Sequence, residues 1–334
     1  MKASDITKVV SQLITKKLPV FIWGAPGIGK SSIVKNIAKR QGLDFIDLRL
    51  SLLDPTDLKG IPFFDAETNE GVWAKPSFLP SKKGSKGILF LDEINTAPPA
   101  VQASAYQLIL DRKVGEYELP EGWSIIAAGN RENDRGIVYK MSAPLANRFV
   151  HFEMEVDFED WKIWAYGVKL DMSIVAYLAY DKSMLFTFDA TSNEKSFATP
   201  RSWEYVDNIV KSEIDTTLML DSIAGAIGRE AAVGYLSFKK VMNSLPDLQS
   251  ILEGKPVDFE SKDTKVLMAL TIGLVNMLLS NPSQEEIDNV LRFSLSLSGE
   301  FSIMLVQDMQ QNNIEVENSP VWADWVIAFA YLLQ

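Results

Sequence analysis

The chain has 334 residues, 47% of them hydrophobic and 23% charged, enough for two or three folded units and too apolar for a disordered polypeptide. It contains no cysteine, which excludes disulfides and thiolate metal sites, and its net charge of −11 argues against a broad nucleic-acid-binding surface. The first residues lack the apolar core of a signal peptide. The longest apolar stretches, 266–279 and 321–333, are too short to span a bilayer and hold Asn276 or Asp324, so a cytoplasmic protein with no membrane span is expected.

Apolar residues at Ile6, Val9, Val10, Leu13 and Ile14 predict a first helix, with Ser4 as its cap. Residues 18–23 read as a buried strand and 31–40 as a helix, with Ile33, Val34, Ile37 and Ala38 at helical spacing. A second strand is expected over 43–50. The Pro-, Gly- and Lys-rich segment 54–86 contains two short extended pieces, 60–64 and 71–75, that suit a hairpin. Residues 87–92 form a strongly apolar third strand. Pro98 and Pro99 open a helix running to about Asp111, and 113–121 reads as a second hairpin. Two further strands follow at 123–129 and 149–155. Strands alternating with helices imply a parallel sheet covered on both faces. Beyond Asp157 the sequence reads as helical, with Thr199 and Pro200 opening one helix, a looser stretch over 187–197, and a break around 246–263. Three parts are expected: an α/β domain over 1–156, a helical lid over 157–250 and a C-terminal helical segment over 251–334.

The richest local signal joins the first strand to the helix after it. Gly24, Ala25, Pro26, Gly27, Ile28, Gly29, Lys30 and Ser31 fit the G-x-x-x-x-G-K-[ST] phosphate loop at every fixed position, and Ser32 continues into the helix. A helix N-terminus with unpaired N–H groups attracts anions, and glycines let backbone wrap a polyphosphate. Lys30 is placed to reach the β and γ phosphates of a nucleoside triphosphate, and the Ser31 hydroxyl to ligate Mg²⁺. The third strand ends in Asp92 and Glu93. In a phosphate-loop protein this strand end supplies a carboxylate for the Mg²⁺ shell, Asp92, and a general base for the attacking water, Glu93. Asn130 ends the fourth strand and suits a group that positions water. Arg148 precedes the fifth strand, where a buried arginine facing a neighbouring subunit would stabilise transition-state charge. Arg131 and Arg135 compete with it for contacts across an interface. Arg201 follows Pro200 at a helix start, suited to sense the γ-phosphate. His151, the one histidine, reads as structural rather than catalytic.

Together these motifs resemble the AAA+ ATPases and, within them, the MoxR-like group. The resemblance covers about residues 5–245 and rests on the phosphate loop, Asp92-Glu93, Asn130, Leu145 to Phe149 and Pro200-Arg201. Residues 54–62 with the extended pieces after them look like that group's helix-2 insert, and 113–121 like its hairpin before sensor 1. The resemblance implies a five-stranded parallel sheet sandwiched by helices, an all-α lid, and ATP and Mg²⁺ as ligands. It also implies a ring, commonly a hexamer, with active sites between subunits, where Arg148 would serve the neighbour's site and Arg201 would act in cis or in trans. An ATP-hydrolysing remodeller of a protein client follows, with a von Willebrand factor A domain protein as an expected partner.

Two other readings stand beside this one. A DNA-dependent or restriction-type NTPase motor would need basic hairpin tips, whereas Gly115-Glu116-Tyr117-Glu118 is acidic. A nucleotide-gated scaffold would have lost Glu93 or Arg148, and both are present. Phe63, Phe64, Trp73 and Tyr117 are expected to close small clusters within their hairpins, with contact to a client in a central pore as the alternative.

Overall fold

The computed structural model describes every residue except 68, 132, 133, 135–138, 330, 331, 333 and 334. Two compact units account for the chain: 1–157 with 190–192, and 158–189 with 193–334.

The first unit begins with α1 (Ala3–Thr15), β1 (Val20–Trp23), α2 (Lys30–Gln41), β2 (Asp44–Arg49) and α3 (Pro55–Lys59). It continues through β3 (Ile61–Asp65), β4 (Glu70–Ala74), β5 (Gly87–Asp92), α4 (Pro99–Asp111), β6 (Lys113–Val114) and β7 (Tyr117–Glu118). Last come β8 (Trp123–Gly129), α5 (Ala143–Ala146) and β9 (Val150–Glu153). Ser4 lies within the first turn of α1, whose N-cap is Lys2 and has no side-chain cap, so the expected cap is displaced by two residues.

Five strands form one parallel sheet in the order β2-β5-β8-β1-β9. Side chains alternate across its plane. Phe21, Leu89, Leu91, Ile125 and Ala127 join a core with Val101, Ala105 and Leu108 of α4. The other parity, including Ile22, Ile88, Phe90 and Ile126, is equally buried, with α2 packed on β2, β5 and β8. Both faces being covered explains why β5 and β8 read as continuous apolar runs. The register Arg49↔Asp92 aligns the ends of β2 and β5, and Trp23↔Gly129 aligns those of β1 and β8. The loops carrying Gly24 to Ser31, Asp92, Glu93 and Asn130 therefore leave one edge of the sheet, at its carboxyl end, where ligands bind in open α/β folds, whereas Arg148 precedes β9 at the amino end of that strand.

β3 pairs with β4 and β6 with β7 as separate antiparallel hairpins. Tyr117 is buried in the main core, and its hydroxyl donates to Pro80 O at 2.8 Å, so it docks the second hairpin onto the domain rather than closing a small cluster within it. The first hairpin also departs from expectation. Ile61, Phe63 and Phe64 are 68%, 51% and 66% exposed, so the apolar side chains of β3 stay in solvent, whereas Trp73 of β4 is half-buried.

The second unit has no strand among its described residues and carries α6 (Phe158–Gly167), α7 (Met172–Tyr180), α8 (Pro200–Val210), α9 (Met219–Ile227), α10 (Arg229–Lys239), α11 (Leu248–Leu252), α12 (Thr264–Leu278), α13 (Gln284–Ser294), α14 (Gly299–Gln311) and α15 (Trp322–Phe329). Thr199 caps α8 in a capping box with Ser202, as the Thr-Pro start suggests. α12 packs on α7 and α14, and Lys162 of α6 bonds Asp308 of α14. Residues from both sides of the 246–263 break thus share one core.

Candidate functional site

The loop from Gly24 to Gly29 turns β1 into α2. Gly27 and Gly29 have φ of 78° and 98°, in the region that favours glycine. A Cβ on Gly24 would sit 2.5 Å from Ile28 Cδ1 and 3.1 Å from Met154 O, so bulk there would force the loop open. Gly29 is the N-cap of α2 and no side chain caps the helix, which leaves its positive end facing the loop.

Lys30, the first residue of α2, folds back over this loop. Its ammonium donates to Gly24 O at 2.6 Å, Ala25 O at 3.0 Å and Asn130 Oδ1 at 3.2 Å. Lys30 and Asn130, a hundred residues apart in sequence, therefore meet. A second asparagine, Asn95, holds the backbone there: its Nδ2 donates to Asn130 O at 2.7 Å, and its side chain is buried.

Asp92 ends β5. Burial pushes its carboxyl pKa up, against the lowering influence of the Lys30 ammonium, and the Asp47 and Glu93 carboxylates add to the rise. A carboxylate so placed gains from a further cation. Among the described residues, no group of three or more His, Cys, Asp or Glu side chains could hold a metal by itself. A serine hydroxyl and one carboxylate are hard oxygen donors of the kind Mg²⁺ takes, its shell being completed by phosphate oxygens and water. Ser31, in the first turn of α2, and Asp92 are the residues that would hold it.

Glu93 is held in an uncommon backbone conformation, with φ of 56°. Its Oε2 accepts a short hydrogen bond from the Ser51 hydroxyl, and its carbonyl accepts from Thr96 Oγ1 at 2.9 Å. Ser51 follows β2 and escaped the sequence reading. Only the pairing of β2 with β5 brings it to the acid, and no local motif marks it.

The candidate arginines fare differently. Arg131 is engaged within the chain: its Nε lies 2.6 Å from Glu153 Oε1, and Nη2 donates to Met154 O at 3.3 Å. Arg135 lies outside the described residues. Arg148, expected to be buried, is exposed in the single chain, and its Nη1 donates to Pro144 O at a long 3.4 Å. Arg201 stands exposed in the first turn of α8, in the second unit, where its charge opposes the burial-driven rise in the Glu204 pKa.

Residues 19–149 match the family described as the AAA domain, dynein-related subfamily. With the sheet order above, this segment has the AAA+ phosphate-loop fold. Among solved structures the chain is similar to an inferred ATPase from Cytophaga hutchinsonii, at 16% identity over 86% of this chain and 75% of that one, with a TM-score of 0.37. It is also similar to a point mutant of Thermotoga maritima RuvB, at 17% identity over 85% of this chain and 84% of that one, with a TM-score of 0.40. NtrX from Brucella abortus in complex with ATP matches at 14% identity over 93% of this chain and 68% of that one, with a TM-score of 0.37.

Proposed function

We propose that this protein is an ATP-hydrolysing AAA+ remodeller of the MoxR-like type, working as a hexameric ring with active sites between subunits. The observation that carries this reading is Lys30, whose ammonium contacts Asn130 and acts on the desolvated carboxyl of Asp92 beside an uncapped helix start. In this reading the triphosphate displaces the Gly24 and Ala25 carbonyls from Lys30 and lies along the backbone N–H groups of the loop and of α2. Ser31 and Asp92 would hold Mg²⁺, which would supply neutralising charge to the phosphate oxygens. Glu93 takes a proton from the attacking water, and Asn130 orients that water. Arg148 enters a neighbour's site and stabilises charge in the transition state, which its exposure on the isolated chain supports. Arg201 keeps the nucleotide-sensing role read from the sequence.

The Ser51 bond gives Glu93 an inactive orientation. A carboxylate occupied by a serine hydroxyl is a poorer acceptor for a water proton, so turnover requires Ser51 to release it. The client is a protein, and one carrying a von Willebrand factor A domain is the first to test. The exposed rings of β3 support such contact: a ribbon that leaves three large apolar side chains in solvent suits a partner's surface.

Turnover per subunit, measured against protein concentration with mass determined on the same samples, tests the assembly. It is expected to rise as the ring forms and to fall at least about a thousandfold in Arg148→Ala, the low end of what an arginine finger supplies. Concentration-independent turnover by a monomer, unchanged in Arg148→Ala, would overturn the ring. Stimulation by DNA rather than by a protein client would favour the motor instead.

A further inference from the structure

His151 bridges two parts of the first unit that the proposed reaction uses separately. Its Nδ1 lies 2.9 Å from Trp23 Nε1, and its Nε2 lies 2.7 Å from Ala146 O. Indole N–H only donates and a backbone carbonyl only accepts. The two partners therefore fix one neutral tautomer, with Nδ1 accepting and the proton on Nε2. Trp23 is the last residue of β1, joined directly to Gly24, whose carbonyl accepts from Lys30. Ala146 is the last residue of α5, and its carbonyl also accepts from Phe149 N at 3.2 Å. The same turn carries Arg148, whose N–H donates to Leu145 O at 3.1 Å. Rings reinforce the bridge. Phe21 stacks on Trp23 at 4.1 Å, His151 lies near-parallel to Trp23 at 6.0 Å, and Phe149 meets Phe21 edge-on at 5.4 Å. This plate of rings spans β1 and β9, with the phosphate loop leaving one strand and the Arg148 turn entering the other.

We propose that His151 is a positioning residue that couples a subunit's own phosphate loop to the Arg148 which that subunit presents to its neighbour. The coupling rests on the reading above, in which Arg148 acts in trans. Nucleotide in the loop pulls on Gly24 and Trp23, and the imidazole transmits that displacement to the α5 turn through two hydrogen bonds. One subunit's nucleotide state thereby sets the geometry of the arginine it offers next door.

The test mixes two inactive parents. Glu93→Gln lacks its own base but presents Arg148, whereas Arg148→Ala keeps the base and lacks the finger. Mixed rings are expected to recover turnover at interfaces where an intact Glu93 meets an intact Arg148. His151→Phe keeps a ring and removes both hydrogen bonds. Added to the Glu93→Gln parent it is expected to lower the recovered kcat about fivefold with KM unchanged within twofold. Added to the Arg148→Ala parent it is expected to leave recovery unchanged. His151→Gln restores an acceptor and a donor on one terminal amide and is expected to rescue most of the loss. Equal loss from either parent, no loss from either, or failure of His151→Gln to rescue would overturn the coupling and leave a structural histidine. No recovery in the unmodified parent mixture would overturn the interfacial reading itself, and the coupling with it.

Discussion

Ser51 and Glu93 form the pair with the sharpest consequence at the scale of single residues. Holding a non-glycine residue at φ of 56° costs about 1–2 kcal/mol, so the strand end must over-determine this position. Ser51→Ala removes the hydroxyl that occupies the acid. Basal ATP turnover is expected to rise by about tenfold, the factor that corresponds to about 1.4 kcal/mol, close to the low end of what a hydrogen bond to a charged group contributes. A steady-state assay checks it, and a fall in turnover would show that Ser51 supports the active geometry instead. The phosphate loop, Asp92 and Glu93 were legible because their chemistry is written in contiguous residues beside apolar runs. Ser51 and Asn95 were not, because each reaches its partner only through strand pairing: Ser51 follows β2, whose Arg49 is in register with Asp92, and Asn95 contacts Asn130 from the turn after β5.

Elements show the same division. β5 and β8 could be bounded from sequence because strands buried on both faces are uninterruptedly apolar. The two hairpins could be located but their packing could not, because burial depends on what lies alongside. Tyr117 finds Pro80 and is enclosed, whereas Phe63 and Phe64 have no such cover. Phe63→Ser with Phe64→Ser is therefore expected to move the thermal midpoint by no more than about 2 °C, since exposed positions contribute within about 0.5 kcal/mol. Basal turnover should hold and stimulation by a protein client should be lost. Calorimetry and a client-stimulated assay read these outcomes, and a large fall in stability would mean that the rings serve the fold. In the helical unit, Lys162 joins α6 to α14, 2.5 Å from Asp308 and 2.8 Å from Glu159. Burial works against its charge, but the two carboxylates outweigh burial and hold its pKa above the ordinary lysine value. Lys162→Met leaves a buried carboxylate unpaired and is expected to cost about 3–5 kcal/mol in denaturant unfolding. Lys162→Met with Asp308→Leu should recover most of that loss, because it removes both charges rather than one.

For the whole molecule, the parallel sheet, the helical remainder and the change between them near Asp157 follow from the switch of hydrophobic period along the chain. The exposure of Arg148 was harder to foresee, because whether a charged side chain is covered depends on what packs alongside it and leaves no local signature in the sequence. In the proposed function the turn after β1 binds ATP and the ends of β5 and β8 hydrolyse it. The most direct measurement compares Mg²⁺-dependent ATP binding at equilibrium with ATP turnover in Lys30→Ala and Glu93→Gln. Lys30→Ala is expected to lose both, and Glu93→Gln to keep binding within about threefold while turnover falls at least about a hundredfold, the low end of a general base's contribution. Wild-type binding by Lys30→Ala, or wild-type turnover by Glu93→Gln, would overturn this assignment of the site.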